Sequence, residues 1–290
     1  MTLRLTRAAD LADFERAAGD FLRAREAEHN LMLGICSNLR AAGSAFAMGR
    51  GTNATPPYFA VIRDGERVVG AALRTPPLNT ILSAMDDPSG ADLVVSDQLE
   101  TRDLPGVLGE RGLAKRFADL WTARTGRRAR VKTAERIFQL TRVLPPRPAS
   151  GEMRRATMAD QELVAAWFRA FIREALREEG DDADATAEYW LTRPGRFLYL
   201  WVDGGRPVSM TGASGRTPNG IRIGAVYTPP ALRGRGYASN LVAQVSQAQL
   251  ESGLRFCFLY TDLANPTSNH IYQEIGYSPV ADVDEYRFED

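Results

Sequence analysis

"YTPPALRGRGYAS" occupies Tyr227–Ser239, between the apolar run "GIRIGAVYT" and the run "YASNLVAQVSQAQLESG". The pattern predicts a strand ending at Val226-Tyr227-Thr228, a short loop, and a helix that starts near Ala238 and stops at Gly253. The first turn of such a helix has amides without intrahelical partners and carries the positive end of the dipole. Gly234 and Gly236 have no Cβ, so successive amides can converge on one anion. Arg233 and Arg235 can add charge-assisted bonds from their guanidinium forks. The segment is therefore built to seat a phosphate group on its main chain. It is not a Walker loop, since no Gly-Lys-Ser/Thr follows, and it is not a GxGxxG dinucleotide loop.

The rest of the chain limits what that loop can serve. With 290 residues, 44% hydrophobic and 25% charged, the composition is that of a globular protein with room for one large or two ordinary domains. No apolar run approaches the roughly 20 residues that span a bilayer. The N-terminus alternates charge with apolar residues, unlike a signal peptide, so the expected location is cytoplasmic. Cys36 and Cys257 lie in apolar surroundings and read as two buried thiols. With only His29 and His270 and no Cys/His cluster, no metal site is expected. A net charge of zero argues against general nucleic-acid binding. The halves differ, however: residues 149–290 carry 14 Arg against 19 acidic residues, so a cationic partner would suit the second half.

"LPPRPASGE" (Leu144–Glu152) is the predicted boundary, because its prolines deny the chain both helix and central strand. The expected division is 1–144, a linker at 145–152, and 153–290. After the linker come a strand "MRRAT", a helix begun near Thr157 or Asp160, and a second helix over "ADATAEYWLT". A hairpin turned at Asp-Gly-Gly follows, then the strand and helix around Arg233, a buried strand "LRFCFLYTD", a helix "NPTSNHIYQEIG" and a final pair of strands in the tail. The first half repeats this plan, with a hairpin at Asp64-Gly65, a helix after Pro88 and strands within "ARVKTAERIFQLTRV". "PGVLGERG" (Pro105–Gly112) reads as a turn. The fold expected is α+β, duplicated, each half a mixed, mostly antiparallel sheet flanked by helices.

Arg233-x-x-Gly236-x-Ala238 resembles the R/Q-x-x-G-x-G/A signature of the GNAT superfamily of N-acetyltransferases. "NPTSNHIYQEIGY" resembles that family's downstream segment at Asn265, Ser268, Tyr272, Gly276 and Tyr277. The two motifs span Val226–Tyr277, and the order of elements extends the match to about 150–290. The resemblance implies acetyl-CoA as co-substrate, held by Val226, Tyr227, Thr228, Arg233, Gly234, Arg235, Gly236, Tyr237, Ala238, Ser239 and Asn265. It makes the N–H of Val226 the donor to the thioester carbonyl, and Tyr272 the acid that protonates the leaving thiolate. The acceptor implied is a primary amine of a small molecule or peptide, attacked directly and without a covalent enzyme intermediate. The tandem arrangement resembles mycothiol synthase and its relatives in architecture, which assigns no substrate and leaves monomer and homodimer both open.

The first half departs from the family pattern. Where the phosphate loop should be, it reads "NTILSAMDDPSGADLVV", with Asp86, Asp87 and Pro88 in the turn. Carboxylates repel a diphosphate and proline removes a donor, so this half is expected to be a degenerate, structural copy. The base that deprotonates the amine is not named by any motif: Asp262, Tyr260 and Tyr227 are candidates by position. Glu178, Glu179, Asp181, Asp182 and Asp184 cluster where the family's acceptor borders, and read either as a cation-attracting rim or as a solvated loop. Trp190 and Trp201 fit core or cleft wall. The alternative of another class is a non-catalytic acyl-CoA sensor, against which a proton donor at Tyr272 argues.

Overall fold

Two strands that are apolar at nearly every position set the first sheet. In β2 (Tyr58–Asp64) and β3 (Arg67–Arg74), paired from Tyr58↔Arg74 to Asp64↔Arg67, neighbouring residues enter different cores. Phe59, Val61, Ala71 and Leu73 pack with Phe14, Leu22, Met32 and Cys36 of α1 (Leu11–Ala24) and α2 (Asn30–Ala42). Ala60, Ile62 and Ala72 pack on the opposite face, with Val94 of α3 (Gly90–Gln98) and with Phe117 and Trp121 of α4 (Arg111–Thr125). Side chains alternate across a strand, so a sheet covered on both sides needs such unbroken apolar runs.

The computed structural model describes residues 2–42, 55–101, 104–176 and 182–290. They form two compact units, the first comprising Met1–Ile137, Tyr260–Asn265 and Pro279–Asp290, the second Phe138–Leu259 and Pro266–Ser278. Unit one adds β1 (Leu3–Arg7), β4 (Thr80–Leu82), β5 (Gly106–Glu110), β6 (Arg128–Leu140) and β12 (Ser278–Glu289), in the order β1-β2-β3-β4-β5-β12-β6. Unit two has β7 (Glu152–Arg155), β8 (Phe197–Asp203), β9 (Arg206–Ser214), β10 (Gly220–Tyr227) and the Phe256–Leu259 part of β11 (Phe256–Asp262), ordered β11-β10-β9-β8-β7, while Tyr260–Asp262 count with unit one. Its faces are covered by α5 (Gln161–Phe171) and α6 (Ala183–Thr192), with Trp167 and Phe168, and by α7 (Tyr237–Glu251) and α8 (Pro266–Ile275), with Leu241, Val245 and Ile275. The end of β6 crosses from one unit to the other, Phe138 and Leu140 joining the core of unit two.

Three sequence readings need correction. "PGVLGERG" is not a turn: Gly106–Glu110 is strand β5, antiparallel to β12 from Gly106↔Arg287 to Glu110↔Val283. A Cβ at Gly106 would lie 2.0 Å from the carbonyl oxygen of Tyr286, so glycine is there to let two backbones approach. The tail is one strand rather than two, and Arg128–Leu140 is likewise one. Cross-strand ion pairs along them, Arg136–Asp282 at 2.6 Å, Lys132–Glu285 at 3.3 Å and Arg130–Glu289 at 2.5 Å, match charges where a turn was expected.

The expected helix start at Thr157 or Asp160 is a capping box joining both residues. A 3-10 turn (Met158–Asp160) precedes α5, and a π-helical turn (Ile172–Leu176) ends it, so the helix expected over that stretch has three parts.

Candidate active site

Strand β10 carries an irregularity that re-aims side chains. Its register with β9 shifts between Gly224↔Gly212 and Tyr227↔Met210, two residues opposing one, which is a β-bulge. Ala225, at φ 53°, is the only non-glycine residue with positive φ among the described residues. Ile221 and Ile223 enter the core under α7, whereas Tyr227, beyond the bulge, enters the core under α5. Buried hydroxyls of β9 hold carbonyls around the bulge: Thr211 Oγ1 donates to Gly224 O at 3.3 Å and Ser209 Oγ to Tyr227 O at 3.0 Å. Ala225 and Val226 lie outside the β9 ladder, and the parallel pairing with β11 covers only Gly220–Arg222 against Phe256–Phe258. Strain of this kind persists where the surroundings over-determine it, and it gathers at functional sites.

The Arg-Gly loop follows directly. A 3-10 turn (Pro230–Leu232) brings the amides of Leu232 and Arg233 onto Pro229 O and Pro230 O, at 2.8 and 3.3 Å. Gly234 and Gly236 take φ 76° and 78°, and α7 begins at Tyr237 with Gly236 as an N-cap that has no side-chain bond. Among the described residues, none of the amides from Gly234 to Ser239 has a protein partner. A Cβ at Gly236 would have room, with Asn240 Nδ2 at 3.5 Å as its nearest neighbour, so the backbone angle is what calls for glycine there. Side chains contribute unevenly. Arg235 is exposed, whereas Tyr237 is buried with its hydroxyl donating to Asp203 Oδ2 at 2.5 Å, so only its main chain can serve the loop.

Arg233 is not free in solvent. Its Nε donates to Thr228 O at 2.9 Å, its guanidinium lies 5.9 Å from the centre of the Tyr227 ring, and it pairs with Glu174 Oε2 at 2.5 Å. Glu174 also accepts from the Tyr227 hydroxyl at 3.3 Å, and burial, then the charge of Glu174, raises the pKa of that phenol. Sequence reasoning missed Glu174, because a regular helix was read through it. The π turn that carries it is a feature enriched at functional sites.

Tyr272, on α8, is 8% exposed in the core of unit two, its ring edge-on to Tyr277 at 6.0 Å. Burial pushes its pKa up to about 12, and its hydroxyl has no hydrogen bond among the described residues. Tyr277 is structural: it bonds Ser246 Oγ at 2.8 Å beneath α7. Asn265 is counted with unit one, its amide donating to Asp262 O at 3.0 Å. The Asp262 carboxylate accepts from the amide of Ala264 at 2.8 Å, the use expected of a turn cap. Of the acidic cluster, Glu178, Glu179 and Asp181 lie outside the described residues, while Asp184 pairs with Arg169 at 3.0 Å. Trp201 is core, its Nε1 donating to Ser150 O at 2.7 Å.

Both cysteines are buried free thiols with pKa values raised to about 12 by burial. Among the described residues no group of His, Cys, Asp and Glu could hold a metal ion, and no helix is long and apolar enough to cross a membrane.

A bulged strand, a glycine loop and an uncapped helix in this order agree with the comparison of sequences: residues 161–277 match the acetyltransferase (GNAT) family. They form a GNAT acetyltransferase domain. As such the domain is an acyl-transferring enzyme of the N-acetyltransferase type. Solved structures extend the GNAT fold to the rest of the chain. A Drosophila protein superposes with a TM-score of 0.65 at 14% identity, over 99% of this chain and 98% of its own. A GCN5-related N-acetyltransferase from Sphaerobacter thermophilus has a TM-score of 0.57 at 16% identity, over 98% and 95%. A tandem GNAT protein from the clavulanic acid biosynthesis pathway has a TM-score of 0.55 at 15% identity, over 99% and 98%. At such identities the likeness is one of fold, and it agrees with two tandem GNAT-like domains. No curated protein matches the sequence.

Proposed function

We propose that unit two transfers the acetyl group of acetyl-CoA to a primary amine of a small molecule or peptide, in the cytoplasm. The observation that supports this most is the run of unpartnered amides from Gly234 to Ser239 at an uncapped helix start. A diphosphate fits that run, with Arg233 and Arg235 as adjoining cations. When bound, the co-substrate supplies an activated acyl carbon and a thiolate leaving group. Val226, displaced from the ladder by the bulge, contributes an amide suited to polarising the acyl carbonyl.

Glu174 is the carboxylate that takes the proton of the incoming ammonium. It already accepts from Tyr227, at the end of the bulged strand. Tyr272 stays protonated across the physiological range, since burial sets its pKa at about 12. At that value it acts by donating a hydrogen bond to sulfur as negative charge develops there. Complete proton loss to a thiolate whose acid has an ordinary pKa of about 8.5 would be uphill.

The test is thiol release from acetyl-CoA across a panel of primary amines, with Tyr272→Phe beside the native chain. Turnover is expected to fall by about ten- to a thousand-fold in the variant while acetyl-CoA binding persists. Equal turnover removes Tyr272 from the chemistry. Binding without thiol release from any amine would leave an acyl-CoA sensor instead.

A further inference from the structure

Unit one contains a cavity of about 240 Å³, wholly within its own segments, at the end of the parallel pairing between β4 and β5. Met32, Leu108, Ile137 and Val283 give it aliphatic walls. Its polar lining is Arg25, Glu28, His29, Ser83, Glu110 and Tyr260. The single cation is already shared: Arg25 pairs with Glu28 at 2.6 Å and with Asp86 at 3.3 Å. His29 adds no charge. Its Nε2 accepts from the amide of Ala84 at 3.1 Å, its Nδ1–H donates to Leu22 O at 3.0 Å, and burial lowers its pKa. The lining thus sets two carboxylates, Glu28 and Glu110, against one guanidinium; Glu110 also accepts from the amides of Gly112 and Leu113 at 3.0 and 3.2 Å, and Asp86 takes up Arg25 from outside the cavity.

We infer that this cavity is a second ligand site, taking a small amine with a compact apolar body. The surplus of carboxylate selects a monocation, and the aromatic ring of Tyr260 suits an ammonium as well. Size sets the apolar part. A cavity of roughly 150 Å³ accommodates benzene, so this one takes a ring with a short chain. A thioester nucleotide is disfavoured. The turn after β4 has Asp86, Asp87 and Pro88 where a diphosphate would need donors, and the amide of Ser89 is spent on Asp87 Oδ1 at 2.9 Å. The inference is independent of the chemistry proposed for unit two.

Phenethylamine is the probe, read on the full chain by methyl resonances of labelled methionine. Met32 lines the cavity, while Met153 and Met210 belong to the cores of unit two. Met32 is expected to shift with saturation below about 1 mM, and 2-phenylethanol and 3-phenylpropionate to bind at least about tenfold more weakly. Glu28→Gln should weaken the amine about tenfold, and Ala281→Phe, which fills the cavity, should abolish the shift. If Ala281→Phe does not fold, Glu28→Gln decides alone. Shifts confined to Met153 or Met210, equal binding of the alcohol or the acid, or a Met32 response to acetyl-CoA in place of the amine would each overturn the assignment.

Discussion

Both units send a strand into a turn and then a helix, yet the two turns treat their amides oppositely. After β4, Gly90, Ala91 and Asp92 donate to Asp87 O, Pro88 O and Ser89 O, each at 3.1 Å. The Asp87 carboxylate takes the Ser89 hydroxyl and amide, and those two bonds hold its pKa below the ordinary value. After β10, the amides from Gly234 to Ser239 have no partner among the described residues. A helix end left unsatisfied is costly unless water or a ligand answers it, so the second turn is open and the first is closed on itself. Cores on both faces preserve the shared architecture in either case. We therefore propose that unit one has lost coenzyme binding at this turn while keeping its fold.

The largest effect expected tests this contrast directly. Gly236→Asp places a carboxylate at the helix start, where it can cap the amides itself and repel a diphosphate. Acetyl-CoA binding, followed by calorimetry, should be lost by a hundredfold or more, on the order of 3 kcal/mol. Ser89→Asp, the same charge at the turn of unit one, should leave it unchanged. Equal titration of both variants would show that the open amides are not the seat.

A smaller effect should separate Glu174 from the loop. Glu174→Gln removes the carboxylate that occupies Arg233, so coenzyme affinity should hold or improve. Turnover near neutral pH should fall about ten- to a hundredfold and recover in part as the pH rises toward the pKa of the amine. If coenzyme affinity falls instead, the pair supports the loop, and the base lies elsewhere.

How far these features could be read from the sequence depends on how local their causes are. The hairpins at Asp64-Gly65 and at Asp203-Gly204-Gly205, the helix after Gly236 and the two buried thiols follow from short-range signals, and the structure has them where expected. Strand β5 was hidden, because Gly106 answers to the carbonyl of Tyr286, a neighbour brought by β12 from the far end of the chain. The β10 bulge and the π turn were hidden for another reason. Each changes the phase of an otherwise regular pattern, which moves Tyr227 to the α5 face and puts Glu174 beside Arg233. The residues of the Arg-Gly loop were therefore legible, and their carboxylate neighbour was not.

The smallest effect concerns acid stability, where the units should again differ. His29 is 2% exposed and neutral in unit one, while His270, the other histidine, is exposed beside Glu274 at 3.3 Å. Burial lowers the folded pKa of His29 below its ordinary value, about 6.5 in an unfolded chain. The unfolded state thus takes up a proton first as the pH falls. Stability is complete above about pH 6.5 and declines toward the folded pKa, by at most about 1.4 kcal/mol per pH unit. His29→Gln should be less stable near neutrality, having lost the bond from Ala84. Its stability should nevertheless vary less between about pH 7 and pH 5, above the range where most carboxylates titrate. Urea unfolding at the two pH values, with Trp121 reporting unit one and Trp167 and Trp201 unit two, gives the comparison. A loss of the same size in the native chain and in the variant would mean that the buried imidazole is not what acid attacks.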